Sequence, residues 1–130
     1  MPVFVQVLIL ALSVTFLTEF TSNVATANVL TPLAASVAVC AGQNPLLLMV
    51  TTTLSCSLAF MLPSATPPNA IAYSTGRMQF KSMLRVGLFL NIVAVSTVTL
   101  FMMLLAPLVF DIEFGVAPQW AGNCTVAQSS

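Results

Sequence analysis

Histidine is absent from this 130-residue chain, and charge is scarce: three basic and three acidic residues, 5% of the whole. Without imidazole there is no Ser-His-Asp triad, no His-metal site and no histidine pH switch. A soluble domain carries roughly a quarter charged residues; this chain is 58% hydrophobic with a mean hydropathy of +1.04, which excludes that class. Three basic residues and zero net charge leave no footprint for nucleic acid. The three cysteines (Cys40, Cys56, Cys124) are odd in number and form no CxxC. Cys40 and Cys56 lie in apolar runs and read as small packing residues. The apolar start has no basic n-region and no clear small-x-small cleavage site, so it reads as mature membrane structure. What remains is a membrane protein, or a piece of one.

The charges divide the chain. None lies between Glu19 and Arg77, and none between Arg85 and Asp111. A helix crossing the hydrocarbon core needs about 20 mainly apolar residues. The first gap is too long for one crossing; Val86 to Phe110 suits one well. Residues 3–20 are apolar and end in TEFTSN, and apolar character resumes from Val24 to Ala41. So short a polar join suggests a re-entrant helical hairpin, residues 1–41 with its tip near 21–24, held at membrane depth. Such a tip is tolerable only where its backbone meets protein, ions or a water-filled cavity. Two ordinary spanning helices with a tight surface turn fit the same spacing.

Gly42-Gln43-Asn44-Pro45 is a helix stop followed by a start. Leu46 to Leu62 is apolar with a polar stripe of Thr51, Thr52, Thr53, Ser55 and Ser57; the hydroxyls of Thr51 to Thr53 are expected to bond back to the helix's own carbonyls rather than line a pathway. Pro63, Pro67 and Pro68 then fall within six residues and cannot sit inside a continuous helix. Residues 45–77 therefore read as a broken transmembrane helix with its joint at 63–68; a surface loop is the alternative. The stub before Arg77 carries no charge, which favours a joint inside the bilayer. Arg77, Lys81 and Arg85 follow at intervals of four, expected on one face of a helical turn or two. Clustered basic residues mark the cytoplasmic side. The last transmembrane helix, 82–110, then leads to an extracellular tail, 111–130. That tail contains Asn123-Cys124-Thr125, an N-glycosylation acceptor pattern with the same orientation.

The fold class is therefore an all-α membrane protein: a re-entrant hairpin, a broken transmembrane helix and a final transmembrane helix. Broken backbones at the bilayer midplane are how secondary transporters build binding sites. Their unwound carbonyls and C-terminal ends suit a small cation, and their N-terminal ends suit an anion. Neutral oxygens suffice for a hard ion such as sodium, which fits a chain nearly empty of acids. The candidate residues are Thr18, Thr21, Ser22, Asn23 and Val24 at the tip, and Ala65 to Asn69 at the joint. Glu19 is the one acid within a membrane segment; such groups are functional suspects. Its position a turn before the tip suggests it pairs with a polar or basic group elsewhere to hold the hairpin. No acid pair falls within the membrane segments, so an intramembrane enzyme has no support and no catalytic residue is expected.

At TEFTSNVATANVLTP (18–32) and FMLPSATPPNAIAYSTGR (60–77) the sequence resembles the divalent-anion:sodium symporter family of dicarboxylate, citrate and sulfate cotransporters. The resemblance covers nearly the whole chain but only the last quarter or so of such a transporter, part of an inverted-repeat fold. It implies a sodium-coupled symporter of di- or tricarboxylates such as succinate or citrate, with a sulfate-carrying member of the same family as an alternative. It further implies a plasma-membrane location and a homodimer when full length. The family's Ser-Asn-Thr hairpin motif reads Ser22-Asn23-Val24 here, the valine lacking a hydroxyl. The resemblance assigns Ser22, Asn23, Val24, Thr66 and Pro67 to the substrate. It assigns Thr18, Thr21, Asn23 and Ala65 to a sodium ion, the coupling ion, with no other cofactor. The chain is expected to be a fragment; a short membrane assembly or regulatory protein without transport activity is the rival reading.

Overall fold

Pro2 opens the first helix from an extended conformation, and the polar run after Thr18 closes it; this is α1, Val3–Thr18. Ser22, also extended, precedes α2, Asn23–Cys40. The computed structural model describes residues 2–109 and Asp111. Among the described residues it contains five helices and no strand. The stop after α2 is a Schellman turn. Gly42 takes φ +71°, its N–H reaches Val39 O (3.1 Å), and Gln43 N–H reaches Ala38 O (2.8 Å). Asn44 then caps α3, Pro45–Cys56, its Oδ1 accepting from Leu46 N–H (3.0 Å), with Pro45 in the first helical position.

The next helix ends sooner than the apolar run suggests. α3 stops at Cys56, not Leu62; residues 57–66 are non-helical, and α4, Pro67–Ser74, begins on the two prolines. The interruption therefore starts well before the proline cluster, because side chains from elsewhere claim the backbone of residues 56–62, as shown below. Gly76, at φ +73°, ends α4. The chain stays non-helical to Gln79, and α5 runs from Phe80 to Val109. Arg77 thus lies outside any helix. The expectation of three basic residues on one helical face fails there, because Gly76 breaks the helix first; only Lys81 and Arg85 share α5. Glu113 and Asn123 lie outside the described residues.

α2 and α5 are long and apolar enough to cross a membrane. α3, with 12 residues, spans about 18 Å at 1.5 Å per residue, against a hydrocarbon core of about 30 Å. α3 and the eight residues of α4 together make about one crossing, in two pieces.

α1 and α3 run parallel. Gln43 Nε2 donates to Gln6 Oε1 at one end, and Thr18 Oγ1 donates to Cys56 O at the other. α2 packs chiefly on α3 and only slightly on α1, so the first two helices diverge from their join. Between them opens a cleft of about 440 Å³ lined by Ile9, Leu10, Leu30 and Leu33 and floored by Leu48. α5 runs antiparallel to α1, pairing Asn91 with Glu19 and placing Met102 and Ala106 beside Val7. The buried core is Val7, Ala34, Ala38, Leu47, Leu48, Met102 and Ala106. α5 turns one stripe inward, Met83, Gly87, Asn91, Val95, Thr99, Met102 and Ala106, while its other faces are exposed and, beyond Lys81, Ser82 and Arg85 near its start and Ser96 and Thr97 midway, mostly apolar. Cys56 is buried with a free thiol, whereas Cys40 is exposed and disulfide-bonded, so the packing role expected of both cysteines holds only at Cys56.

Candidate functional site

The site forms where α1 ends, α2 begins and α3 stops. Thr18, in the last turn of α1, is fully buried. Its hydroxyl proton is shared between Asn23 Oδ1 (2.7 Å), at the start of α2, and the carbonyl of Cys56 (3.2 Å), the last residue of α3. One side chain thus joins three helix ends. Thr21 donates to Leu17 O (3.0 Å) and pairs with Thr26 Oγ1 (2.5 Å), while Thr26 also donates to Ser22 O (2.9 Å). The join between α1 and α2 is thereby knitted from hydroxyls, without a charge. Ser22 and Val24 are exposed, Val24 at 69%, and Asn23 is half-buried.

The first turn of α2 keeps its donors. Ser22 occupies the N-cap position but makes no side-chain cap bond, so its hydroxyl and the leading N–H groups of α2 stay available to an anion. α4 is different. Thr66 makes no side-chain cap either, but Pro67 and Pro68 fill the first two helical positions and have no N–H. Two of the donors that a helix start usually offers are therefore missing from α4.

Glu19 follows Thr18 and is 2% exposed. Its carboxylate turns into the interruption. Oε1 accepts from the N–H groups of Phe60 (2.9 Å) and Met61 (3.1 Å), and Oε2 from those of Met61 (3.2 Å) and Leu62 (3.2 Å). Asn91 Nδ2 donates to Oε1 at 2.7 Å. Successive backbone N–H groups make an anion-binding concavity, and here the anion belongs to the chain itself. The pairing with a distant polar group foreseen for Glu19 is present in Asn91, though backbone amides supply most of the donors. From the other side, Asn69 Nδ2 donates to Ala59 O (2.8 Å) and Leu62 O (3.1 Å), folding the first turn of α4 back onto the interruption.

Gly87 of α5 completes the contact. A Cβ built there would lie 2.5 Å from Met61 Cα and from Phe60 O, and 2.8 Å from Phe60 C. Only glycine admits the interrupted chain so close to α5. Gly87 and Asn91, one helical turn apart, form a cradle that sequence reasoning missed. The available signal was a four-residue spacing, Met83, Gly87, Asn91, Val95, with a glycine and an amide inside an otherwise apolar helix. The carbonyl of Cys56 was missed because the break was placed at the prolines.

Thr51 and Thr52 are buried and donate to Leu47 O and Leu48 O, both at 2.7 Å; Thr53 donates to Met49 O at 2.9 Å. All three bond back to their own helix, as expected. Four buried side-chain oxygens, Thr15 Oγ1, Gln43 Oε1, Ser55 Oγ and Asn91 Oδ1, have no partner among the described residues. Of the residues expected to bind ligands, Thr18 and Asn23 are brought into direct contact. No hydrogen bond among the described residues joins Ala65, Thr66 or Pro67 to residues 18–24; the tie between tip and interruption runs through Glu19 and Cys56. The carbonyls of Ser64 and Ala65 accept no hydrogen bond there. Among the described residues no three His, Cys, Asp or Glu side chains gather as a metal-binding group. A cation here would meet hydroxyl, amide and carbonyl oxygens.

The profile of the sodium:sulfate symporter transmembrane region matches residues 1–111. The chain belongs to this family. Similar proteins include the Na(+)/dicarboxylate cotransporter 3 of Rattus norvegicus, 42% identical over 122 residues, which are 94% of this chain and 20% of the relative. The sodium-dependent dicarboxylate transporter of Staphylococcus saprophyticus is 41% identical over 109 residues, 84% of this chain and 21% of its own length. The Na(+)/citrate cotransporter of Rattus norvegicus is 44% identical over 114 residues, 88% of this chain and 20% of its own. The chain spans about a fifth of the length of these curated relatives. All three are named as transporters, in keeping with a non-enzymatic reading.

Proposed function

We propose that the chain supplies one half of the binding site of a sodium-coupled symporter for di- or tricarboxylates such as succinate or citrate. The observation that carries this reading is the junction of Thr18, Asn23 and the Cys56 carbonyl, where three helix ends meet through neutral oxygens. Sodium is the coupling ion. It is held by Thr18, Thr21, Asn23 and the unengaged carbonyl of Ala65, which must approach the tip in the ion-bound form. The substrate carboxylate sits on Ser22, Asn23 and the backbone of Val24, where α2 presents an uncapped first turn. Thr66 and Pro67 border it sterically, since the prolines of α4 offer few donors. The names of the relatives favour dicarboxylate or citrate as cargo, and a sulfate-carrying member of the family is the second arm of the test.

In the membrane, α1 and α2 form a re-entrant hairpin, α3 and α4 a broken transmembrane helix and α5 the last crossing, as part of an inverted-repeat fold. The shortness of α3 and the non-helical stretch after it support this arrangement. Arg77, Lys81 and Arg85 face the cytoplasm of a plasma-membrane protein, and the tail is extracellular with Asn123 glycosylated. The full-length protein is a homodimer.

The test is uptake of labelled succinate, citrate and sulfate by the full-length protein, with and without sodium. Asn23→Ala is expected to abolish sodium-stimulated uptake at normal surface expression. Unchanged sodium dependence in that variant refutes the site, and wild-type uptake indifferent to sodium refutes the function.

A further inference from the structure

We propose that Glu19 is a positioning residue: with Asn91 and Gly87 it clamps the interrupted chain onto α5, so that the sodium response depends on a carboxylate that does not touch the ion. The inference rests on the transport reading above but stands on separate geometry.

The electrostatics of the position are unusual. Glu19 lies at the C-terminal end of α1, where the helix dipole disfavours negative charge. It is also buried, and among the described residues no basic side chain pairs with it. A buried charge is tolerated only when its hydrogen-bonding capacity is met. Here it is met by three consecutive amides of the interruption and by Asn91. The dependence is mutual. Residues 60–62 lie outside any helix, so their N–H groups lack helical acceptors and would be orphaned without the carboxylate.

The clamp then sets the site. Glu19 is the neighbour of Thr18, and Phe60 lies four residues beyond Cys56. Fixing 19 to 60–62 therefore holds the Thr18 hydroxyl against the Cys56 carbonyl. Gly87 lets the backbone of residues 60 and 61 lie directly on α5, and Asn91 locks the carboxylate one turn further along. α1, the interruption and α5 thus move as one body.

The experiment uses the full-length protein with Cys56→Ala and other reactive cysteines replaced. A reporter cysteine stands at Ala59, which is 1% exposed. Glu19→Gln keeps the size of the side chain and one oxygen. It places an amide N–H group opposite the N–H groups of Met61 and Leu62. Thiol labelling at position 59 is expected to quicken about tenfold, the equivalent of losing about one hydrogen bond to a charged group. Half-saturating sodium should rise by a similar factor while substrate KM at saturating sodium stays unchanged, a split that general misfolding would not give. Glu19→Asp, which keeps the charge, should recover part of both effects, and Asn91→Ala should shift both in the same direction by less. Wild-type labelling in Glu19→Gln, or an unmoved sodium half-saturation, overturns the proposal. If Glu19→Gln fails to reach the membrane, Asn91→Ala carries both measurements, and wild-type values there overturn it equally. If the parent protein shows no sodium-stimulated uptake, the transport reading falls and the labelling rates alone decide the clamp.

Discussion

Gly87→Ala sets two effects of opposite sign against each other. In a helix interior alanine is favoured over glycine by roughly 0.5–1 kcal/mol, and Gly87 lies well inside α5. On propensity alone the variant should be more stable. The added Cβ, however, would sit 2.5 Å from Met61 Cα and Phe60 O and 2.8 Å from Phe60 C. Carbon contacts are optimal near about 3.5–4.0 Å, so the gap must widen by about 1 Å. All three atoms are backbone, held by the bonds from Glu19 to Phe60 and Met61. No rotamer change can relieve the contact. Overpacking of this kind costs about 1–3 kcal/mol, which outweighs the propensity gain over most of its range and adds to it loosened bonds at Glu19. The net is a loss of about 1–2 kcal/mol, a factor of about 5–30 in the folded population. The assay is the half-life of full-length protein in detergent at elevated temperature, which should shorten severalfold. Met61→Ala should not rescue it, because the Met61 atom in contact is the Cα. A Gly87→Ala protein as durable as wild type, or restored by trimming Met61, would falsify the close backbone approach.

Asn69→Ala removes the donors to Ala59 O and Leu62 O and should destabilise the protein by about 1–3 kcal/mol, read as the same loss of thermal half-life. Thr18→Val keeps the shape but deletes the shared hydroxyl; half-saturating sodium in uptake assays should rise about tenfold, as for about 1.4 kcal/mol, with protein yield little changed. Thr52→Val loses only a bond to its own helix, so it should shift stability by about 1 kcal/mol or less and leave the sodium dependence of uptake untouched.

Much of the fold was legible because its punctuation is local. Gly42 and Pro45 end one helix and begin another through conformational limits of their own. The polar join at TEFTSN divided α1 from α2, and the Thr51–Thr53 hydroxyls had carbonyls within their own helix to bond. The start of the interruption was not legible. Nothing in Ser57-Leu58-Ala59-Phe60-Met61-Leu62 is a helix breaker; the segment unwinds because Glu19, 41 residues upstream of Phe60, and Asn69 compete for its backbone. Propensity is a weak prior that tertiary bonds override. The site divides along the same line. Thr18 and Asn23, which hydrogen-bond to each other, stand out in the sequence because they are close together and polar in an apolar setting. Cys56 contributes a carbonyl, which every residue has. Gly87 contributes the lack of a side chain, so neither advertises itself.

The same competition explains how such a break can exist inside an apolar chain. Unwinding a helix strands backbone donors and acceptors, each costing several kcal/mol in hydrocarbon if left unpaired. Here the N–H groups of residues 60–62 go to Glu19, the carbonyls of Ala59 and Leu62 to Asn69, and the carbonyl of Cys56 to Thr18. Proline at position 63 has no N–H to strand. The N–H groups of the stretch from Ser57 to Leu62 are therefore largely satisfied from within, while among the described residues the carbonyls of Ser57, Leu58, Phe60, Met61, Ser64 and Ala65 accept no hydrogen bond. An interruption needed only for flexibility would gain nothing from this asymmetry. Under the proposed function it has a use: the backbone donors are anchored in place, and the carbonyls left over are the oxygens an ion would take.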